Sequence, residues 1–307
     1  MGKFEVERSV LIDVPVEQVF AQVRDFQTWP IWSPWLCAEP ACSVEFSADG
    51  SEYKWQGEVV GEGSMKVIGE LRNQSIDYEL EIIKPWKSTS RVSFFFRPEG
   101  DRTRTAWQMT GNVPFYLFWT QSSMEMAIGM DYKRGLMMLK DYVEKGAIPS
   151  QIEFLGEQSF DGFSYVGLRT NCRIMDVGEK MEADLQKVMK WVEDQHVKPT
   201  GRAFSIYHKW SIGRGSTCYT IGLPVEKIPG WLPEGFVSGN IPAGEVNQIR
   251  HIGPYRHLGN AWAAGIAHVR AKKWSSSKIR PFEVYENDPS EVGSEEVVTT
   301  LHFPIKS

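Results

Sequence analysis

The residues of this chain best suited to chemistry lie on one short stretch, residues 281–288, which reads PFEVYEND. Strand side chains alternate, so Phe282 and Val284 point one way and Glu283 and Tyr285 the other. Phe282 and Val284 are expected to face the helices, leaving Glu283 and Tyr285 side by side on the open face of a sheet. A carboxylate beside a phenol is either ordinary solvated surface or the floor of a ligand site. Among aromatic walls in a partly dry pocket, such a carboxylate attracts an organic cation by ion pairing and cation–π attraction. A desolvated carboxylate has a raised pKa instead, and can serve as an acid or base.

The elements around this stretch repeat. Residues 162–169 read as a strand, 176–196 as an amphipathic helix, and 202–210 and 217–225 as strands. A second round follows: a strand over 235–250 interrupted near Pro242, a helix over 255–273, and strands over 281–286 and 296–305. Strand-helix-strand-strand twice predicts a pseudo-twofold sheet with both helices on one face and a concave face opposite. On that concave face Tyr207 would lie opposite Glu283, and Phe163, Tyr165, Tyr207 and Tyr285 would line a groove around it. Trp262 shares a helix stripe with Leu258, Ile266 and Val269, which suits either core packing or a ligand wall. Tyr255 caps a Gly-Pro corner, and the flanking His251 and His257 are expected to be solvated.

The run HIGPYRHLGNAWA at 251–263, followed by PFEVYENDP at 281–289, resembles the GyrI-like domain, the effector-binding module of multidrug-responsive regulators. The resemblance covers roughly residues 160–305. It implies a small-molecule binder, a protein-inhibitor module or a hydrolase. Some relatives open strained electrophilic rings with a Glu and a neighbouring Tyr. Glu283 matches the family's strand glutamate and Tyr255 its Gly-Pro-Tyr motif, so these two are the implied catalytic pair if the chain is a hydrolase.

The first half has a different grammar. A strand over 4–13 leads through Pro15 into a helix with Val16, Val19, Phe20, Val23 and Phe26 at helical spacing. The segment WPIWSPW at 29–35 is a proline-broken, aromatic turn. Six strand-like segments between residues 43 and 112 form a meander, and a long helix runs from about Trp119 to Lys145. The opening VPVEQVFAQVRDFQTWPIWSPW resembles the START/SRPBCC superfamily, which includes polyketide cyclases and lipid carriers. That resemblance implies a helix-grip sheet holding an apolar cavity. No histidine precedes His196, so the usual neutral-pH base is missing there.

The expected class is therefore α+β: a helix-grip domain over 1–147, the connector 147–160, and the repeat domain over 160–307. A net charge of −5 gives no broad attraction to nucleic acid, and no apolar run reaches the ~18 residues of a membrane span. The polar amino terminus carries no secretory signal, and the four cysteines have no disulfide or zinc-ligand spacing. These features point to a cytoplasmic protein with no metal or cofactor, no DNA-binding segment, and neither nucleic acid nor a membrane as a partner; a protein partner is left open. The function expected is the binding of a hydrophobic or cationic aromatic small molecule. The alternatives are a detoxifying hydrolase and a protein-interaction module.

Overall fold

Alternation of apolar and polar residues in the first half yields strands that pair in a plain antiparallel order. A computed structural model describes residues 2–113, 121–273 and 279–305. The chain forms two compact units, one of Met1–Pro149 and Ile266–Ala271 and the other of Ser150–Gly265 and Lys272–Ser307.

In the first unit, β1 (Gly2–Ile12) precedes α1 (Val16–Arg24) and α2 (Trp29–Trp32). The meander follows as β2 (Ser43–Phe46), β3 (Glu52–Gln56), β4 (Glu62–Leu71), β5 (Ser75–Lys84), β6 (Ser88–Glu99) and β7 (Arg102–Val113). Among the described residues the sheet has seven strands in the order β1-β7-β6-β5-β4-β3-β2. Helix α3 (Gln121–Lys145) closes the unit; its expected start at Trp119 lies outside the described residues. The apolar stripe Val16, Val19, Phe20 and Val23 buries α1 against the sheet. The proline-broken turn places Trp29 and Trp32 inside, where Trp29 Nε1 donates to the Val23 carbonyl at 2.9 Å. Trp107 stacks on Tyr132 of α3 with ring centroids 4.1 Å apart, and Phe94 stacks on Trp107 at 4.8 Å. Trp29, Trp32, Tyr78, Phe94, Trp107 and Tyr132 all turn inward and are buried.

The second unit starts earlier than the sequence suggests. Residues 147–160 were expected to be a connector, but Gln151–Phe160 is a strand, β8, paired antiparallel with β13 (Gly244–Ile252). Its alternation is masked by the run of polar residues that an edge strand exposes. The other elements are β9 (Phe163–Arg173), α4 (Val177–Asp194), β10 (Phe204–Ser211), β11 (Ser216–Pro224), β12 (Phe236–Ile241), α5 (Leu258–Ala271), β14 (Phe282–Tyr285) and β15 (Val298–Pro304). Eight strands run β12-β9-β11-β10-β14-β15-β13-β8 among the described residues. The two repeats meet where β10 pairs with β14, with Ser205 directly opposite Glu283.

The sheet curls on itself. Phe160 ends β8 at one edge and Phe163 begins β9 near the other, with their rings 5.7 Å apart. The tight corner between them needs Gly162, at φ +75°, because any Cβ there would strike the backbone of Ile241–Ala243. This curl encloses Tyr165, Phe204, Ile206, Ile241 and Phe282 on the face opposite the helices.

Candidate functional site

The expected sidedness of β14 is inverted. Glu283 and Tyr285 do share a face, but it is the helix-bearing face: Trp262 of α5 and Met181 of α4 both reach them. Phe282 and Val284 lie on the other face, in the cluster that the curled sheet encloses. The reason is packing. A sheet that closes on itself has to fill its inner face with apolar rings, so the polar pair is left between the helices.

Glu283 is 1% exposed. Its Oε1 accepts hydrogen bonds from the Tyr285 hydroxyl at 2.8 Å and the Tyr207 hydroxyl at 3.3 Å. Its Oε2 accepts one from Trp262 Nε1 at 2.6 Å. Ser205 Oγ lies 2.8 Å from the Tyr285 hydroxyl, and Met181 Sδ lies 3.8 and 3.9 Å from the Tyr207 and Tyr285 hydroxyls. Tyr207 and Tyr285 stand two residues beyond Ser205 and Glu283, the directly opposed pair where the repeats meet. The two phenols therefore flank a single carboxylate, with Ser205 in the place of its partner.

Burial pushes the Glu283 carboxyl above its ordinary value, against the three hydrogen bonds that favour its charge. No lysine or arginine pairs with it among the described residues. Burial and the neighbouring carboxylate push the Tyr207 and Tyr285 phenols well above theirs, so both remain O–H donors. The walls are less buried than the floor. Trp262 packs edge-on against Tyr207, with ring centroids 5.0 Å apart. Trp210, 40% exposed, packs edge-on against Tyr207, and Tyr255, 43% exposed, against Tyr285. Tyr255 thus stands at the rim; burial raises its phenol to about 12.

Four of the residues expected at the site therefore converge: Glu283, Tyr285, Tyr207 and Trp262, with Tyr255 one ring further out. Phe163 and Tyr165 do not. Both pack against Phe204 on the enclosed face, which the concave groove was expected to leave open. The residue opposite Glu283 is Ser205 rather than Tyr207, whose phenol reaches Oε1 diagonally. His251 and His257, expected in solvent, are both buried, and burial lowers His251 to about 4.

Sequence reasoning missed Ser205, Met181 and a second buried acid, Asp184. Asp184 Oδ2 accepts from Thr170 Oγ1 at 2.6 Å and the Tyr219 hydroxyl at 2.8 Å. A signal was available: Asp184 follows Met181 by three residues, beside the apolar stripe of α4. The four cysteines are free thiols. Among the described residues no group of three or more His, Cys, Asp and Glu could hold a metal ion, and no helix is long and apolar enough to cross a membrane.

Two α+β domains, the second with an aromatic-walled buried carboxylate, define a class of small-molecule-binding proteins. The family model of the GyrI-like small molecule binding domain matches residues 159–306, and that of polyketide cyclase / dehydrase and lipid transport matches residues 3–144. The chain is a fusion of a polyketide cyclase-like (SRPBCC) domain and a GyrI-like domain, as both resemblances implied. No curated protein matches it. Among solved structures, the cryo-EM structure of an EcmrR–DNA complex is 16% identical with a TM-score of 0.43, covering 62% of this chain and 68% of that one. The Aha1 dimer from Colwellia psychrerythraea is 16% identical with a TM-score of 0.36, covering 47% and 98%. Protein MLL2253 from Mesorhizobium loti is 16% identical with a TM-score of 0.34, covering 45% and 96%.

Proposed function

We propose that the chain binds a cationic aromatic small molecule in its second unit, with Glu283 as the charge partner. The observation that carries this reading is a carboxylate buried among three neutral donors with no cation beside it among the described residues. A buried charge left in this state is costly, and an incoming cation offsets that cost. Tyr207, Tyr285 and Trp262 supply ring faces and edges, and the exposed rings of Trp210 and Tyr255 rim the approach. Met181 is an unbranched, adaptable side chain that can yield to a bulky guest. The description of the matching family, small molecule binding, supports the same reading. We further propose that the chain works in the cytoplasm, where its four free thiols remain reduced. With a net charge of −5, it would act without contacting nucleic acid.

The test is titration of the intact chain with flat aromatic cations and their neutral isosteres, followed calorimetrically. Saturable binding of the cations that Glu283→Gln abolishes supports the proposal. Equal binding of cation and isostere refutes it.

One observation favours hydrolysis as a second reading. The Tyr285 hydroxyl donates to a carboxyl whose pKa burial has raised, a pairing suited to general acid–base work. The phenol in that role would be Tyr285 rather than Tyr255. Product analysis with strained electrophiles distinguishes the readings: turnover lost in both Glu283→Gln and Tyr285→Phe supports hydrolysis, and no turnover excludes it for those substrates.

A further inference from the structure

Glu283 has four lone-pair positions, two on each oxygen. On Oε1 both are taken, by Tyr285 at 2.8 Å and Tyr207 at 3.3 Å. On Oε2 one is taken, by Trp262 at 2.6 Å. One position is left, on Oε2, and the carboxylate has no cationic partner among the described residues. The three donors are fixed by their surroundings. Trp262 is wedged edge-on between Tyr207 and Phe303, and the Tyr285 hydroxyl is held by Ser205.

We propose that the site selects cations that present a single N–H donor: a protonated amine carried on a flat aromatic body. This deepens the binding function proposed above and rests on it. A protonated amine adds one charge-assisted hydrogen bond to the free Oε2 position and disturbs none of the three existing donors. A quaternary ammonium brings the charge but no donor, so that position stays dry and unfilled. An amidinium or guanidinium presents two parallel N–H groups, which need one open position on each oxygen. Here Oε1 has none until Tyr207 lets go, and the released Tyr207 hydroxyl would keep only the Met181 sulfur, 3.8 Å away. Charge alone would rank all three classes equally; the donor arrangement separates them.

The experiment is a calorimetric titration of the intact chain with three naphthylmethyl-type cations differing only in the head: dimethylammonium, trimethylammonium and amidinium. All three are fully charged at neutral pH. The dimethylammonium compound is expected to bind about tenfold or more tighter than its trimethyl counterpart, the worth of one charge-assisted hydrogen bond. The amidinium should bind no better than the amine. Trp262→Phe keeps a ring against Tyr207 and opens the second position on Oε2, and Tyr207→Phe opens one on Oε1. Tyr207→Phe in particular should favour the amidinium over the amine by several-fold relative to the native chain, because a fork then finds a position on each oxygen.

Equal affinity for the dimethyl and trimethyl compounds overturns the inference, as does an unchanged head-group order in Tyr207→Phe. If affinities are equal but Glu283→Gln abolishes them all, the selectivity fails and the proposed binding function survives. If Glu283→Gln leaves them untouched, or none of the three binds, the proposed function fails as well.

Discussion

In the first unit the rings of Trp29, Trp32, Phe94, Trp107 and Tyr132 pack on one another out of contact with solvent. In the second, the rings of Tyr207, Tyr285 and Trp262 are only half-buried and turn their polar tips onto one carboxylate. Both regions spend aromatic residues, but the first obtains cohesion from them and the second an electrostatic trap. The difference shows in how polar atoms are treated. The Trp262 indole N–H and both phenols beside Glu283 have acceptors, whereas Trp107 Nε1, Thr105 Oγ1 and Tyr132 OH are buried with no hydrogen-bond partner among the described residues, as are Trp191 Nε1, Thr299 Oγ1 and His302 Nδ1 elsewhere in the second unit. Unpaired buried groups occur in both units, so the distinction is local: the three donors around Glu283 all find an acceptor on that one acid.

The sharpest way to break this comparison is to remove a ring from each region. Trp107→Ala is expected to destabilise the protein by about 3–5 kcal/mol in urea denaturation and to leave cation binding intact. Trp262→Ala, from a half-buried position, should cost about half of that and lower cation affinity. Equal costs, or a binding defect in Trp107→Ala, would erase the distinction.

Next in size is Glu283→Gln. Losing a buried, hydrogen-bonded charge partner should weaken cation binding by about 2–5 kcal/mol, measured calorimetrically. The pH dependence carries its own signature. The folded carboxyl has a raised pKa, so the native state holds the proton longer than the unfolded chain. Stability from this group therefore falls as pH rises from the ordinary value of 4.5 towards the raised folded value, and Glu283→Gln should flatten that slope.

The histidines give a slope of the opposite sign. Burial lowers His251 and His302 from 6.5 to about 4, so the unfolded chain takes up their protons first. Stability is full above about 6.5 and drains away as pH falls to about 4, by up to about 3 kcal/mol per histidine. Denaturation midpoints at pH 7, 5.5 and 4 check this, with His302→Phe expected to remove its share of the loss. Residues 1–149 hold no histidine and gain no such slope from one.

The smallest effect expected is also the cleanest test of the first interior. Tyr132→Phe removes a buried hydroxyl that has no partner among the described residues while keeping the ring stacked on Trp107. It should raise stability by up to about 1 kcal/mol; a loss would mean that the hydroxyl is satisfied in solution.

Much of this was legible in the residues. The apolar stripe of α1, the proline-broken tryptophan turn and the Gly-Pro-Tyr corner each dictate one local geometry, and the elements follow. The repeat of strand, helix and two strands placed Glu283, Tyr207 and Tyr285 on one face of the sheet, and Trp262 joins them because that face meets the helices. Three things were not legible. Strand β8 hides because an exposed edge strand lacks a clean alternation. Phe163 and Tyr165 look like groove residues until the sheet is seen to curl around them. Asp184 looks like a surface acid until Thr170 and Tyr219 are found on it.

Sequence alone determined that Glu283 and Tyr285 share one face of their strand and Phe282 and Val284 the other, since a two-residue period permits nothing else. It also determined that aromatic residues would accompany them. Which face meets the helices was decided only by tertiary structure. Alternation is indifferent to direction, and the choice fell to the sheet's closure at Gly162 and to the rings needed to fill the enclosed side. That closure turned a carboxylate expected on an open surface into one buried between two helices with three donors and no counter-charge among the described residues.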